Sequence, residues 1–579
     1  TSLYVHSNAL TTFDVSNNTA LTTLYVSYMD LTALDVSNNT ALTNLNVSRN
    51  DLTTLDVSNN TALIYLYCDY NQLTALDVSN NTALTHLYCS GSDSNSTYGL
   101  TNQLTTLDVS NNTALTTLSC AYNPLTTLDV SNNTALTNLT CYYNQLNTLD
   151  VSNNTALTYL YCSYNPLTTL DVSNNTALTS LYVHSNALTT FDVSNNISLQ
   201  NFGAANNYFT AFDVSLNTAL TSLQLQGNDL TALDVSNNTA LTQLYVHSND
   251  LTTFDVSNNT ALIYLYVGSN DLTTFDVSNN TALTTLYVSY MDLTAFDVSN
   301  NTALKYLYVD GNDLTALDVS SNTALTDLYC QSNDLTSLDV SNNTVLKYLY
   351  LQGNDLTALD VSNNTALTRL YVTDNDLTAL DVSSNTALTD FYCYINQLTY
   401  LNMKNGVTGQ LTNFNATSND SLECIETLDP DYATTNWTYA NGNIDEGVTF
   451  AVDCTPEPPT LDPPTLVINE LLAQNISCCT DANGDYDGYI ELFNYGDEAV
   501  DISGLFITDQ IGSYEDYHQI PTGNDSTIIQ PGGFLLLWAD EESEQGVLHV
   551  EFELNARVGG VIGLFMPDST TVVDNITYG

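Results

Sequence analysis

The sequence predicts a mainly β protein: a solenoid with two parallel β-sheets, followed by a small β-sandwich. Three observations predict it. Nineteen near-copies of a 21-residue unit, typified by residues 230–250 (LTALDVSNNTALTQLYVHSND), fill most of the 579 residues. A period this short means stacked coils, each burying its apolar side only against its neighbours. Apolar and polar residues alternate at Leu-Asp-Val and again at Leu-Tyr-Val, which is strand periodicity. Beyond residue 454 the period stops, and short alternating runs separated by Gly, Pro and Asp take over.

Each unit contributes two half-turns. One reads LxxLDVSNNxxL, as in residues 230–241; the other reads LxxLYVxxNxL, as in residues 241–251. Coils stacked at strand spacing rise about 4.8 Å each, so nineteen of them span about 90 Å. Each half ends in a recurring Asn: Asn238, Asn259 and Asn280 in one column, Asn228, Asn249 and Asn270 in the other. Buried polar groups need partners, and an inward Asn amide can bond the turn and the adjacent coil. Met29 and Met291 interrupt the second column, so the ladder tolerates gaps. Residues 90–103 add ten residues to one turn and read as a surface loop.

Charge excludes several partner classes. Six Lys and Arg face 64 Asp and Glu, a net charge of −58. Such a surface repels nucleic acid and anionic membranes and attracts cations and basic partners. No apolar run approaches the ~18 residues of a membrane span, so no membrane insertion is expected. The chain opens in mid-repeat, at Thr1-Ser2-Leu3-Tyr4-Val5, so capping or leader sequence is expected upstream. Cys68, Cys89, Cys120, Cys141 and Cys162 take the Val position of five successive coils, as do Cys330 and Cys393 elsewhere. Parallel neighbours about 4.8 Å apart suit packing thiols better than disulfides, whose Cβ atoms sit nearer ~3.8 Å and point together.

The two half-motifs carry the leucine-rich-repeat pattern. The 21-residue form with Cys or Val after Leu-Tyr resembles internalin-type bacterial surface repeats over about residues 1–425. The resemblance implies that the Leu-Tyr-Val/Cys strand lines the concave face and that the chain acts in adhesion. The segment 423–454 resembles the Cys-closed C-terminal cap of secreted leucine-rich repeats of Bacteroidota type. That resemblance implies a Cys424–Cys454 disulfide and an extracellular or cell-surface location. The expected layout is therefore a leucine-rich-repeat solenoid over 1–422, a cap over 423–454, a Pro-rich linker over 455–465 and a terminal domain over 466–579. Ile468-Asn469-Glu470, Ile490-Glu491-Leu492, Asn494, Val500-Asp501-Ile502-Ser503-Gly504, Asp509, Pro531-Gly532-Gly533 and Asp574 resemble the lamin-tail domain, which implies an Ig-like β-sandwich. Leu505 departs from the Trp usual there.

Two side-chain ladders are candidate functional surfaces. An outward Tyr column comprises Tyr245, Tyr266, Tyr287, Tyr308, Tyr329, Tyr350, Tyr371 and Tyr392, continued earlier by Tyr161, Tyr182, Tyr67, Tyr88, Tyr4 and Tyr25. Ser119, Thr140, Gly203 and Gln224 interrupt it. Its flanks vary between copies while the LDVSNNTAL half is nearly constant, the pattern of a binding face. Tyrosine that merely suits strands would give the same column. On the other half, eighteen Asp from Asp14 to Asp381 form an acidic ladder that Asn402 ends. Neighbours about 4.8 Å apart repel by roughly 1 kcal/mol in water. Ser and Thr hydroxyls, backbone amides, raised pKa values or bound Ca2+ could each offset this. A second acidic column, from Asp229 to Asp376, accompanies the later coils. Asp481, Asn483, Asp485 and Asp487 have the alternate spacing of a Ca2+ loop, but Tyr486 and Leu492 stand where an EF-hand needs Gly and Glu. An ion site and an Asp/Gly-rich turn both remain open there. Cys478 and Cys479 are adjacent, and their pairing is open too.

No nucleophile elbow, zinc-helix motif or phosphate loop occurs, and the six His read as scattered surface positions. The sequence therefore points to a non-catalytic adhesion or recognition protein requiring no cofactor, with Ca2+ as a candidate ion. A glycan or protein is its expected ligand, held on the Tyr face. The alternative is a structural subunit that self-associates into an extracellular filament or surface layer.

Overall fold

The computed structural model describes residues 1–92, 101–454, 465–473, 480, 484, 486, 488–512, 517–523, 525–540, 545–554, 560–567 and 571–578. The chain divides into two compact units, Thr1–Cys454 and Thr455–Gly579. In the first, every Leu-Tyr half contributes a short strand to one 20-stranded parallel sheet. Most of these strands are three residues long, as at Gln243–Tyr245; the first two, Ser2–His6 and Thr23–Ser27, have five. The register is one repeat per coil, so Leu244 pairs with Leu265 and Tyr245 with Tyr266. At the long copy the pairing jumps from His86 to Thr117 without loss of register. The extra residues therefore leave the ladder undisturbed; 93–100 themselves lie outside the described residues.

Beyond the first coil, most Leu and Val of the repeat are buried. Leu241, Leu244, Val246, Leu251 and Val256 are all 0% exposed, each worth about 1.5–3 kcal/mol of apolar burial. Phe202 and Phe209 replace Leu in one coil and remain inside. The seven ladder cysteines are buried free thiols. Burial raises their pKa values, to about 12 at Cys120, and Cys68 Sγ donates to Tyr88 O at 3.3 Å. They pack as small apolar side chains.

The second sheet is narrower than the repeat suggests. Among the described residues it comprises four parallel strands at the end of the solenoid: Ala379–Asp381, Tyr400–Met403, Cys424–Thr427 and Thr449–Ala451. In earlier coils the Leu-Asp-Val segment runs into successive tight turns. Asp35 Oδ1 accepts from Ser37 N at 2.9 Å, Asn39 N donates to Val36 O at 2.9 Å, and Leu42 N donates to Asn39 O at 3.0 Å. The same bonds follow the strand Ala379–Asp381, where Ser383 N donates to Asp381 Oδ1 at 2.7 Å.

The Asn columns join coil to coil in two ways. In one, Asn238 donates to Val214 O and Asn217 O, both at 2.9 Å, and no protein donor reaches its Oδ1. In the other, Asn249 donates to Leu225 O and Val246 O at 3.0 Å while its Oδ1 accepts from Leu230 N at 3.1 Å. Met29 and Met291 fill their gaps as buried apolar side chains.

The solenoid closes on an irregular cap. Cys424 and Cys454 form a disulfide. The helix Pro430–Asn436 starts on Asp429, whose side chain accepts from Tyr432 N. Trp437 is buried with its ring 4.5 Å from that of Phe414. Glu426, only 4% exposed, meets Lys404 Nζ at 2.6 Å.

The second unit is an antiparallel-rich β-sandwich. One sheet contains Leu466–Leu472, Gly488–Asn494, Phe534–Ala539 and His549–Val550; the other contains Phe506–Thr508, His518–Gln519, Gly560–Phe565 and Val572–Tyr578. Ile468, Ile490, Leu537, Ile507 and Ile562 belong to its core. The residues that carry the sequence pattern are structural. Asp574 Oδ2 accepts from Ile468 N at 2.8 Å, Asn494 Nδ2 donates to Ile529 O at 3.0 Å, and Asp501 Oδ1 accepts from Thr527 Oγ1 at 2.7 Å. Gly504 has φ +82°, a left-handed backbone that favours glycine. Leu505, in the place of the usual Trp, is buried.

Candidate binding face

Strand alternation fixes the face. In each three-residue strand the central Leu points into the core and the flanking residues point out; Gln243–Tyr245 shows this as half-buried, buried, half-buried. In-register pairing then turns isolated tyrosines into a ring ladder. Centroids are 4.9 Å apart for Tyr245–Tyr266, 5.8 Å for Tyr266–Tyr287 and 5.7 Å for Tyr287–Tyr308. Tyr308–Tyr329 and Tyr329–Tyr350 close to 4.5 Å at 14° and 9°. Tyr350–Tyr371 and Tyr371–Tyr392 turn edge to face at 73° and 82°. Partial burial raises the pKa values of Tyr245, Tyr308 and Tyr371, so these hydroxyls stay neutral across physiological pH.

This geometry limits what the ladder can bind. A sugar ring between two tyrosines needs about twice a van der Waals contact of ~3.5–4.0 Å, and the parallel rings are closer than that. Over Tyr308, Tyr329 and Tyr350 the ladder presents ring edges and hydroxyls. The edge-to-face pairs near Tyr371 and Tyr392, and Tyr4–Tyr25 at the other end, offer ring faces.

The flanks are less uniformly exposed than their variability suggests. Tyr264 and Tyr306 are exposed, and Arg369 lies 5.1 Å over the Tyr348 ring, 3.7 Å from Asp390. Asp310 and Asp327 are buried instead. Ser289 donates to Asp310 and Thr326 donates to Asp327. Asp69 accepts from Ser90 N at 2.8 Å, and burial pushes its carboxyl up to about 7. The histidines are not all surface groups. His549 is buried against Asp540 at 2.6 Å. His184 is half-buried, accepts from Ala205 N through Nδ1, and is pushed down to about 4 by burial. Its ring sits where a Cβ on Gly203 would come within 2.3 Å, so a side chain at 203 would displace the imidazole.

The acidic ladder is exposed. Each Asp accepts from the Ser two residues on, as at Asp35, Asp234 and Asp339 with 2.8–2.9 Å contacts. These bonds hold the carboxyl groups of Asp35, Asp234 and Asp339 below the usual range. Hydrogen bonding, not protonation, therefore offsets their mutual repulsion. Among the described residues no group of three or more His, Cys, Asp or Glu is arranged to hold a metal. Asp481, Asn483, Asp485 and Asp487 lie outside the described residues, as do Cys478 and Cys479. No helix among the described residues is long and apolar enough to cross a membrane.

A second aromatic column escapes sequence reasoning. Tyr28, Tyr70, Tyr122, Tyr143, Tyr164 and Tyr290 occupy the turn after the strand with φ between +52° and +57°. Arg49, in the same column, lies 4.8 Å over the Tyr28 ring and 4.5 Å over the Tyr70 ring. Its sequence signal is an aromatic residue just before the second-column position, which is Asn after Tyr70, Tyr122, Tyr143 and Tyr164 and Met after Tyr28 and Tyr290.

The fold defines a leucine-rich-repeat solenoid followed in the chain by a lamin-tail-type β-domain. Residues 460–579 match the Lamin Tail Domain family, and residues 264–292 and 346–369 match the LVIVD repeat. Among solved structures, the chain is similar to the functional domain of InlJ from Listeria monocytogenes, which includes a cysteine ladder. That likeness has 28% identity and a TM-score of 0.55, covering 90% of this chain and 91% of the other. A leucine-rich-repeat protein of Leptospira interrogans aligns at 24% identity and TM-score 0.53, over 59% of this chain and 92% of the other. YopM from Yersinia enterocolitica aligns at 20% and 0.51, over 78% and 91%. The last two share the fold. No curated protein matches the chain in sequence.

Proposed function

We propose that this chain is a non-catalytic extracellular recognition protein that binds a protein partner along the tyrosine face of its solenoid. The observation that carries the reading is the register. One tyrosine per coil, aligned over eight successive strands from Tyr245 to Tyr392, makes a continuous aromatic strip with neutral hydroxyls. Rigid aromatic rings that combine apolar area with a polar tip are the side chains that dominate protein interfaces. The closed ring stack favours edge contacts and hydroxyl hydrogen bonds, which suit a polypeptide better than a glycan. The likeness to internalin-type solenoids supports surface exposure and adhesion. Self-association into a filament is opposed by the −58 charge.

The test is adhesion of beads bearing the full chain to cell surfaces, before and after protease or glycosidase treatment of those surfaces. Tyr329→Ser with Tyr350→Ser is the matched variant; Ser119 and Thr140 occupy the same column, so the coil accepts small polar residues there. Adhesion lost on protease treatment and in the variant supports the reading. Adhesion that survives both contradicts it.

A further inference from the structure

We propose that the flank of the tyrosine face around Lys305 and Lys347 takes an extended acidic segment of a protein partner, laid along the solenoid axis. The inference rests on the tyrosine face as the recognition surface and names the chemistry that surface accepts. Three observations converge on the same coils.

The first is where the positive charge sits. Three of the chain's six Lys and Arg, namely Lys305, Lys347 and Arg369, fall within four successive coils beside the tyrosine ladder. All three are exposed. Lys305 and Lys347 share one column, two coils apart: Thr326 N donates to Lys305 O at 2.9 Å, and Lys347 N donates to Thr326 O at 2.7 Å. Each directly precedes an outward tyrosine, Tyr306 and Tyr348.

The second is what these lysines give up and what they lack. In most coils that hold Thr in this column, its hydroxyl donates to the preceding coil. Thr326 does so to Lys305 O and Thr368 to Lys347 O, both at 3.1 Å. Lysine forfeits that bond. Among the described residues Arg369 pairs with Asp390 and Lys404 with Glu426, while neither Lys305 nor Lys347 forms an ion pair. That is unusual in a chain with 64 acidic residues. Asp327, in the strand between them, is buried and accepts from Thr326 Oγ1 at 2.6 Å. Two ammonium groups therefore stand in solvent at the edge of the aromatic strip.

The third is spacing. Two coils span ~9.6 Å. A polyproline-II segment brings every third side chain back to one face, ~9.3 Å on, whereas alternate residues of a β-strand recur every ~6.6–6.8 Å. Carboxylates at every third residue of such a segment meet Lys305 and Lys347 together. Its backbone carbonyls carry no internal hydrogen bonds and can accept from the ladder hydroxyls alongside. Screening over ~8 Å at physiological ionic strength weakens repulsion from the acids on the other half-turns.

The experiment is fluorescence anisotropy of the full chain with a labelled Pro-Pro-Glu repeat peptide of about twelve residues, with the Pro-Pro-Gln repeat and a sulfated hexasaccharide for comparison. Lys305→Thr with Lys347→Thr places in both coils the residue already present at Thr284 and Thr326; Arg49→Ser, in distant coils, is the control. The glutamate peptide should bind with Kd below about 1 mM at low salt, about fivefold or more tighter than the glutamine peptide. The double variant should weaken it by about fivefold or more and Arg49→Ser by less than about twofold, and added salt should weaken it as well. No saturable binding, equal binding of the two peptides, unchanged affinity in the double variant, or tighter binding of the sulfated sugar would overturn the proposal. A dimer in sedimentation velocity that the double variant dissolves would assign the strip to a second copy and overturn it too. The bead assay keeps the two readings apart. Adhesion lost in Tyr329→Ser with Tyr350→Ser, while both peptides bind alike, sinks the acidic segment alone; adhesion that survives there contradicts the tyrosine face itself.

Discussion

Replacing Asn249 by Ala should destabilise the solenoid more than replacing Asn238 by Ala, although both are buried asparagines of the same repeat. Asn249 makes three well-formed bonds, two to the preceding coil at Leu225 O and Leu230 N and one within its own coil at Val246 O. After truncation, Leu225 O and Val246 O still accept from Asn228 and Asn270. Leu230 N–H loses its acceptor. An unsatisfied buried donor costs about 1–3 kcal/mol, and each lost bond roughly 1 kcal/mol, so the change is about 3 kcal/mol. Asn238 contributes two donor bonds, and its Oδ1 meets no protein donor. Truncation there removes an unbonded oxygen together with two bonds, so the net cost is about 1–1.5 kcal/mol. Urea titrations followed by circular dichroism read the difference as separate midpoints. Nearest-neighbour coupling carries a local defect into the array, so both midpoints fall, Asn249→Ala further. Equal midpoints, or a larger fall for Asn238→Ala, would refute the assignment of the two columns to different roles.

Other consequences are open to measurement. His184 has its folded pKa depressed from 6.5 to about 4, so its contribution is present above pH 6.5 and is lost as pH falls toward 4. The full shift corresponds to about 3 kcal/mol, and a melting temperature in His184→Gln as pH-dependent as wild type across that window would contradict it. Asp69 behaves oppositely. Its folded pKa is raised to about 7, so stability falls as pH rises from about 4 to 7. Asp69→Asn should flatten that limb in thermal melts, with greater stability than wild type at pH 8. For the exposed Asp ladder, millimolar Ca2+ at low ionic strength should raise the melting midpoint relative to chelator, because charged neighbours repel by roughly 1 kcal/mol; an unchanged midpoint would remove any role for divalent binding.

Much of the fold was legible because the repeat fixes it. A strict 21-residue period leaves one way to superimpose Leu on Leu, and the Tyr column follows from the register. The cysteines, substituting for Val in successive coils, read correctly as packing residues. The second sheet was overdrawn: Leu-Asp-Val alternates like a strand, but its segments pair as a ladder only from Ala379 onward, and the Asp-to-Ser bond occurs on both sides of that point. The ring geometry was not legible, since alternation says that tyrosines point outward and nothing about whether they stack in parallel. Tyr122, Tyr143 and Tyr164 were missed for a related reason: left-handed backbone usually announces itself through Gly or Asn, and here tyrosine holds it. Asp310 and Asp327 looked like surface variation because burial at the rim of a short strand depends on the neighbouring coil.

Photo-oxidative coupling of tyrosines tests the central claim most directly. Brief irradiation followed by Asp-specific cleavage and mass spectrometry should find dityrosine between residues one coil apart, foremost Tyr308–Tyr329 and Tyr329–Tyr350, whose rings lie 4.5 Å apart. Links confined to partners outside this 21-residue register, or none in that column, would contradict the aligned aromatic strip on which the proposed recognition rests.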